Sequence, residues 1–582
     1  MKSSKPVRKT KTAAPVTVAV APPSQSVSLR YAIGILVAIF AVFQVYWPAI
    51  RGPFLLDDSY LPYMLPGYGS LPLRDWINGL RPLLMLSFWL NFQSSGSQDT
   101  FGYHLVNVVL HFLNGGLVFL AARKLLSWAD IENWRGEKWH GDVLSAFAAG
   151  LFLLHPLQTE SVTYVASRSE TLSVFWVLAA FVVFVYRSGD AIYTLRAIAI
   201  LLLFGAAVLS KEHTAVLPAV LLLTDFYWNP GFSLTGIVRN WRLYVPIAAG
   251  AALALAFISK ALNMGPTAGF GIKEFTWYQY FFTQCRVIWE YLLLFVVPIG
   301  QNLDPEVAIS RTIVDRGAIV GMLALLAVSV AAWIYRRKFK LASYGWFVFL
   351  ILLAPTSSFV PILDPYAERR LYLPFIGLLL IAVDLFSRWK ASKTTLITAL
   401  SVILIIEAAA TYQRNQLWSN SIDLWKDTVS KSPNKYRPRF QLAFAYYLAG
   451  DSGNAIEQFQ KVADLGKPTF ELLLDWGLAY DSAGKSDQAL EKFKQAATIE
   501  QNAHVYSQIG MEYGKMGKYP EALDELATAA KLNPRFAMTY YTRGNVYEQQ
   551  GNRAGAADEY RHALQLDPQL QLARDALARV GQ

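Results

Sequence analysis

The sequence predicts an all-α protein that combines a polytopic helical membrane domain of about eleven spans with a C-terminal solenoid of helical repeats. Hydrophobic residues make up 54% of the 582 residues and charged residues only 16%, whereas charged residues average about 25% in soluble domains. The apolar residues form long runs before residue 412, and the polar part that follows repeats with a period of 33 to 34 residues. These patterns assign a membrane domain and a repeat domain to different parts of the chain.

The net charge of +11 belongs to the apolar part of the chain. From Asn420 onward the chain carries 19 basic and 20 acidic residues. A basic excess confined to an apolar segment is typical of cytoplasmic membrane loops. The polar part has no basic stripe interleaved with aromatic residues, so no nucleic-acid partner is expected. The single cysteine, Cys285, excludes an intramolecular disulfide.

The chain opens with a basic segment, residues 1–30, that lacks apolar periodicity and is predicted to be a disordered cytoplasmic tail. Residues 31–412 form the predicted membrane domain. Its first apolar run, 31–50, is long enough to cross a bilayer and is predicted to be a retained signal anchor, followed by a first outer loop at 51–102. Ten further spans are predicted near residues 103–126, 143–156, 170–186, 195–209, 214–228, 243–262, 317–335, 343–360, 371–387 and 394–411.

One more apolar segment, residues 277–297, carries Gln284, Arg286 and Glu290 and ends at Pro298. If it crossed the membrane, the basic group at 336–340 would lie outside. A re-entrant or interfacial helix keeps that group in the cytoplasm, as the positive-inside bias requires. We therefore expect a bacterial inner-membrane protein with a cytoplasmic N-terminus and a periplasmic C-terminal domain.

The polar C-terminal part repeats four columns of residues. Small residues recur where helices meet and aromatic residues fill the gaps between them, which is the signature of tetratricopeptide repeats. Residues 413–435 are predicted to be a linker or helix, and 436–582 about four repeats closed by a capping helix. The concave face of such an array binds peptides, although a spacer or dimerisation role is also open. The columns are Tyr446, Tyr480, Tyr513 and Tyr547; Gly450, Gly484, Gly517 and Gly551; Ala455, Ala489, Ala522 and Ala556; and Phe459, Phe493, Leu526 and Tyr560.

Ionisable residues of the membrane domain converge on its predicted outer loops. Charges at a membrane boundary are costly unless they are paired or face water, so this convergence favours a functional cavity. Asp57 and Asp58 follow the apolar Phe54-Leu55-Leu56 and have no obvious helix to cap, which favours function for at least one of them. The other loop residues are Arg81, His104, His155, Glu160, Lys211, Glu212, Tyr366, Glu368, Arg369 and Arg370.

These loops also resemble a known family. The ordered motifs followed by the repeats resemble the transmembrane and tetratricopeptide-repeat protein O-mannosyltransferases, which are GT-C glycosyltransferases. The resemblance implies a polyprenyl-phosphate-linked sugar as donor, with mannose favoured, and an essential acidic motif in the first outer loop. The motifs that carry it are Leu56-Asp57-Asp58, Arg81-Pro82-Leu83, residues 102–107 with His111, residues 155–160, Ser210-Lys211-Glu212 and residues 367–374.

A sugar linked to a lipid phosphate already has a good leaving group, so such an enzyme needs mainly a base and cations that stabilise the phosphate. We expect Asp57 or Asp58 to be the base of a single inverting displacement, and Arg81, Arg369 and Arg370 to bind the phosphate. A divalent cation, Mg²⁺ or Mn²⁺, between Asp58 and Glu160 is left open. The remaining candidates would shape the cavity or orient the acceptor: His104, His155, Glu160, Lys211, Glu212, Tyr366 and Glu368.

The predicted partners are therefore a polyprenyl-phosphate sugar, a protein or peptide hydroxyl acceptor bound by the concave face of the repeats, and the lipid bilayer. Two other functions remain open. A non-catalytic scaffold would use the membrane part only to anchor the repeats. A transporter of lipid-linked sugars usually places its charged site near the midplane between repeated halves. This sequence shows no repeated halves, and its charges lie at one face.

Overall fold

The computed structural model describes residues 25–65, 67–96, 99–129, 138–251 and 267–581. Within these ranges the regular secondary structure is helical, and the only pairing of extended backbone is one isolated bridge between Ala268 and Ile362. The predicted all-α class is confirmed. The predicted tail lies outside the described residues except for 25–30, which belong to the first helix.

The first part of the chain forms a bundle of apolar helices around one large core. Among the described residues, five helices are long and apolar enough to cross a membrane, namely Leu29–Ala49, Thr100–Ala129, Val165–Val185, Asp315–Ile334 and Lys393–Trp418. Four shorter apolar helices pack among them: Trp139–Leu154, Thr194–Ser210, Lys340–Leu353 and Phe375–Ser387. The number of eleven spans stays a prediction, and the segment at 243–262 falls partly on undescribed residues.

The helices of this bundle are numbered in chain order, leaving out the 3₁₀ turns and a helical stretch at 241–251. They are α1 (Gln25–Tyr46), α2 (Leu73–Trp76), α3 (Pro82–Ser95), α4 (Thr100–Ala129), α5 (Lys138–Leu154), α6 (Thr159–Thr163), α7 (Arg168–Val185), α8 (Thr194–Ser210), α9 (Leu217–Trp228), α10 (Thr235–Arg239), α11 (Trp277–Val296), α12 (Ala318–Ile334), α13 (Lys340–Leu353), α14 (Phe375–Ser387) and α15 (Lys393–Trp418).

Two predicted spans are shorter in the structure. The helix predicted over 343–360 ends at Leu353, because Pro355 has no backbone N–H with which to continue the helical hydrogen bonds. The helix predicted over 371–387 begins only at Phe375, directly after Pro374. The freed segment between these helices, residues 354–374, becomes a loop that contributes to the candidate site.

Helix α11 lies along one face of the bundle. The Gln284 amide donates to the Pro365 carbonyl at 2.7 Å, the Tyr291 hydroxyl lies 3.2 Å from the Ala367 carbonyl, and the Phe295 carbonyl accepts from His155 at 3.1 Å. Successive turns of α11 therefore touch loops of the same face. The re-entrant or interfacial placement of this segment stays a prediction.

The opposite face of the bundle collects basic side chains. Arg187 pairs at 2.8 Å with the buried carboxylate of Asp225, which also accepts from Asn240 and Tyr244. Burial of this pair is tolerated because the carboxylate is satisfied by several donors. Arg388 likewise pairs with Asp384 at 2.9 Å. Arg388 also donates to the Lys338 carbonyl at 2.6 Å, so it lies beside the basic group at 336–340.

The second part of the chain is a stack of helical hairpins that follows one preceding helix. Each hairpin turn contains a glycine with left-handed backbone, φ +77° at Gly450 and +73° at Gly517, which explains the glycine column. The helices are α16 (Ser421–Lys431), α17 (Tyr436–Leu448), α18 (Ser452–Ala463), α19 (Phe470–Ser482), α20 (Ser486–Ile499), α21 (Ala503–Lys515), α22 (Tyr519–Leu532), α23 (Ala537–Gln549), α24 (Arg553–Leu566) and α25 (Gln571–Val580).

The first repeat helices pack directly on the loops of the face that carries α11, which we call the repeat-bearing face. One buried apolar cluster joins Leu55, Tyr164 and Leu303 of those loops to Trp425 and Leu442 of the repeat part. Polar contacts flank it, including Asn302 to Ser432 at 2.8 Å. The outer-loop residues and the first repeats therefore enclose a common space.

Candidate functional site

A cavity of about 470 Å³ lies where the first outer loop, the loops at 303–304 and 364–369, and the first two repeats meet. It is lined by residues from both parts of the chain: Leu56, Asp57, Ser59, Tyr60, Tyr164, Leu303, Asp304, Asp364, Tyr366, Ala367, Arg369, Arg437, Phe440, Gln441, Phe444, Glu471 and Asp475. Of the predicted site residues, Asp57, Tyr366 and Arg369 line it.

Asp57 presents its side chain to this cavity from a short 3₁₀ helix. Its backbone N–H donates to the Tyr164 hydroxyl at 2.8 Å. Among the described residues its carboxylate has neither an ion-pair nor a hydrogen-bond partner. The preceding residue, Leu56, has left-handed backbone with φ +46°, a conformation that costs free energy in a non-glycine residue and needs support from its surroundings. The free carboxylate is thus held in place by a strained turn.

Asp58 points the other way and is buried, with 1% of its surface exposed. Its two carboxylate oxygens accept from the backbone N–H groups of Leu55 at 2.9 Å and Ala166 at 2.7 Å. Burial raises the pKa of Asp58 to about 7, although these two hydrogen bonds favour the charged form. Asp58 therefore fastens the first outer loop to the start of α7, and the two adjacent carboxylates have different surroundings.

Arg369 is the loop cation that reaches the cavity. Its backbone N–H donates to Glu160 at 2.9 Å and its guanidinium pairs with the same carboxylate. Glu160 is buried and does not line the cavity, so its role is to hold Arg369. Tyr366 forms the adjacent wall, stacked on Tyr291 with ring centroids 4.8 Å apart.

Arg370, predicted to bind phosphate, faces away from the cavity. Its guanidinium donates to the carbonyls of Asp364, Pro365 and Thr356 and to the Tyr280 hydroxyl. These acceptors use its donors, so the side chain fixes the turn that carries Arg369. Adjacent residues on a tight turn point in different directions, which the sequence pattern does not resolve.

Arg81 and Lys211 form a second group of charges on the same face. Arg81 makes a bidentate pair with Glu212, with its Nε 2.9 Å and its Nη2 2.8 Å from the carboxylate. The Lys211 ammonium pairs with Glu170 and contacts Ser169 at 3.1 Å. Burial lowers the pKa of Lys211, and the charges of Arg81 and Arg369 act in the same direction. The three cations are therefore electrostatic neighbours, although Arg81 and Lys211 do not line the cavity.

Three predicted cavity residues are packed inside instead. His104 donates to the Gly52 carbonyl at 3.2 Å, and His155 donates to Phe295 and accepts from the Leu157 N–H at 3.2 Å. Glu368 is buried and accepts from the Gln301 amide at 3.1 Å. Desolvation lowers the pKa of His155 to about 4 and raises the pKa of Glu368 to about 7. These side chains support the loops around the cavity and do not face it.

A divalent cation shared by Asp58 and Glu160 does not fit this donor set. The Asp58 oxygens accept from two backbone N–H groups, and the Glu160 oxygens accept from Arg369. In the part of the chain that the structure describes, no three His, Cys, Asp or Glu residues are grouped as a metal site.

Most of the lining residues were missed by the sequence analysis, and Arg437 and Asp304 are two of them. Arg437, in the first turn of α17, extends back to Asp304 and Asp364 of the membrane-domain loops. A signal for Asp304 exists in the sequence, because Leu303-Asp304-Pro305 repeats the tripeptide Leu363-Asp364-Pro365. Arg437 had no such signal, since a basic residue on a repeat helix is ordinarily solvent-exposed.

Comparison with known proteins finds similarity in both parts of the chain. A family model described as tetratricopeptide repeat matches residues 508–570. The chain is 25% identical over 385 residues to a protein O-mannosyl-transferase of Caenorhabditis elegans, covering 64% of this chain and 51% of that protein. It is 22% identical over 569 residues to protein O-mannosyl-transferase TMTC3 of Homo sapiens, covering 84% and 57%.

This chain is similar in sequence to protein O-mannosyl-transferases. It spans about half the length of the curated protein O-mannosyl-transferases that it matches over most of its own length. Among solved structures, the tetratricopeptide-repeat protein YrrB is 20% identical and covers 31% of this chain and 88% of its own, with a TM-score of 0.24. The family resemblance inferred from the loop motifs is confirmed.

Proposed function

We propose that this chain transfers a hexose, with mannose favoured, from a polyprenyl-phosphate donor to a serine or threonine hydroxyl of a protein. Transfer takes place at the repeat-bearing face. The observation that carries the proposal is the cavity in which an unpaired carboxylate, Asp57, and a loop cation, Arg369, share a wall with the first repeats. The relationship to protein O-mannosyl-transferases supports the reaction class.

Asp57 acts as the general base in this proposal. It takes the proton of the acceptor hydroxyl as that oxygen attacks the anomeric carbon of the sugar. The bond between the anomeric carbon and the phosphate oxygen breaks, and its electron pair leaves with the lipid phosphate. A single displacement of this kind inverts the anomeric centre. The products are a glycosylated protein, polyprenyl phosphate and a proton on Asp57.

Arg369 binds the donor phosphate, with Arg81 and Lys211 beside it. A guanidinium matches phosphate oxygens with parallel N–H bonds, and charge-assisted bonds of this kind are among the stronger ones in proteins. Arg369 lines the cavity, while Arg81 and Lys211 add positive potential from the same face. Glu160 and Glu212 hold the two arginines in place before the donor binds.

The test uses the full chain in lipid vesicles with polyprenyl-phosphate mannose and a threonine-containing peptide. We expect transfer of the sugar, and NMR of the product should show inversion at the anomeric carbon. Asp57→Asn should abolish transfer, while Asp75→Asn, an exposed acid of the same loop, should leave it unchanged. If no polyprenyl-phosphate hexose serves as a donor, the proposal is refuted. If the product retains the anomeric configuration, the single-displacement mechanism is refuted.

A further inference from the structure

The repeat domain supplies one wall of the cavity with an unusual combination of side chains. Helix α17 contributes Phe440, Gln441 and Phe444, and helix α19 contributes Glu471 and Asp475. Residues four apart lie on the same face of a helix, so the two carboxylates project together. The wall therefore presents aromatic rings on one helix and two acids on the next.

The charge of this wall is not balanced by the protein. Glu471 and Asp475 have no ion-pair partner among the described residues. The cations of the same cavity pair with other carboxylates, Arg369 with Glu160 and Arg437 with Asp304 and Asp364. Burial, with a contribution from the neighbouring Glu471, raises the pKa of Asp475 to about 7. Two adjacent carboxylates without a counter-charge favour a cationic ligand.

The aromatic residues of α17 add a second attraction for a cation. Phe440 and Phe444 line the cavity together with the acids, and Tyr436 and Tyr447 lie close enough to Asp475 for its charge to affect them. The face of an aromatic ring attracts ammonium and guanidinium groups, and the attraction grows when the site is partly desolvated. Aromatic rings and carboxylates together match a lysine or arginine side chain better than a neutral one.

We propose that this wall, formed by Phe440, Phe444, Glu471 and Asp475, binds a lysine or arginine side chain of the acceptor polypeptide. The cation is held a few residues from the serine or threonine that Asp57 activates, because both walls belong to one cavity of about 470 Å³. The inference rests on the proposed function for the identity of the ligand as an acceptor. It implies that the first two repeats recruit the acceptor and also select acceptors that carry a lysine or arginine near the modified residue.

Binding and transfer are measured separately to test it. The probes are synthetic peptides with one threonine in a glycine and alanine background and one lysine at successive positions on either side. Matched peptides carry glutamine in place of the lysine. Equilibrium binding to the full chain in nanodiscs, without donor and with EDTA, should be about tenfold tighter for the best lysine peptide than for its glutamine match.

The double variant Glu471→Gln with Asp475→Asn should remove this difference. The matched control is Asp487→Asn with Glu491→Gln, which removes two exposed acids four residues apart on α20 of the same repeat. This control should still bind the lysine peptide more tightly than the glutamine peptide. Reversing the charge with Glu471→Lys and Asp475→Lys should make the protein prefer a glutamate peptide, a gain that misfolding would not produce.

Equal binding of lysine and glutamine peptides at low salt would overturn the inference, as would a preference that survives in the neutral double variant. A binding preference in a protein that transfers no sugar would uphold the cation site and refute only the proposed reaction. Transfer without any lysine preference would support the proposed reaction and refute the cation site.

Discussion

The guanidinium of Arg437 forms a bidentate ion pair with the buried carboxylate of Asp304, with its Nε 2.6 Å from Asp304 Oδ2. The same guanidinium contacts Asp364 at 2.9 Å. A residue of the first repeat thus ties together two loops of the membrane domain that border the cavity. The repeats are part of the wall of the site and not only an appendage to it.

Replacing Arg437 with alanine should slow transfer. Asp304 would keep only Lys435 as a counter-ion, and the loop that carries Arg369 would lose its tether. Removing one partner of a buried pair is costly, but the Arg437 side chain is 42% exposed and the cost is reduced accordingly. We expect kcat/KM to fall by about tenfold.

The control for this variant is Arg561→Ala. Arg561 pairs with Asp558 on the surface of α24, and both side chains are largely exposed. Exposed pairs contribute little, so transfer should not change. If Arg437→Ala transfers sugar as fast as the native protein, the first repeat does not position the site.

Asp57→Asn and Asp58→Asn should fail in different ways. The first variant removes the proposed base and should reduce transfer by at least about a hundredfold, with an unchanged melting temperature. The second leaves one backbone N–H without a good acceptor, and loss of a hydrogen bond to a charged group costs about 1.5–3 kcal/mol. Its melting temperature should therefore fall. Transfer assays and thermal unfolding followed by tryptophan fluorescence make the comparison. Loss of transfer in Asp58→Asn and loss of stability in Asp57→Asn would mean that Asp58 is the base and Asp57 the structural residue.

The sequence predicted the parts of this structure that local patterns determine. The repeat columns follow from the close contact of paired helices, since a side chain at Gly477 would collide with Phe493 and one at Gly510 with Leu526. The convergence of charged loops on one face followed from the order of the apolar runs. Both features depend on spacing along the chain, which a single sequence contains.

The directions of individual side chains could not be predicted. Asp57 and Asp58 have the same neighbours in sequence, and only the docking of α7 decides which one is covered. His155 was expected to shape the cavity or orient the acceptor, but its contact with the Phe295 carbonyl, set by tertiary packing, turns it away from the cavity. The Arg437 contacts join residues 133 and 73 positions apart, so no local pattern carried them.

Exchanging the charges of Arg81 and Glu212 should distinguish a structural role of this ion pair from a role of Arg81 in donor binding. Arg81→Ala should raise the KM for the donor by about tenfold, because a cation that adds positive potential near the phosphate-binding Arg369 is lost. The double exchange, Arg81→Glu with Glu212→Arg, rebuilds an ion pair and should restore the melting temperature without restoring the donor KM. Titration of polyprenyl-phosphate mannose at fixed peptide concentration measures this effect. Full recovery of the donor KM in the double exchange would make the pair purely structural.

Binding of lysine peptides should weaken as the pH falls through about 7. The pKa of Asp475 is raised to about 7 by burial and by Glu471, so the carboxyl is mostly protonated at about pH 6 and mostly ionised at about pH 8. A cationic ligand favours the ionised form, and its binding therefore releases a proton and becomes tighter with rising pH.

Of the groups that face Asp475, Tyr436 and Tyr447 titrate far above this range, because burial raises the pKa of both hydroxyls. The cavity cations Arg369 and Arg437 stay charged throughout. The Asp475→Asn variant should therefore show a flat profile between about pH 6 and 8, while the native protein changes by several-fold. Calorimetric titration in buffers of different ionisation enthalpy would detect the released proton. Equal pH profiles in the two proteins would mean that Asp475 does not contact the bound cation.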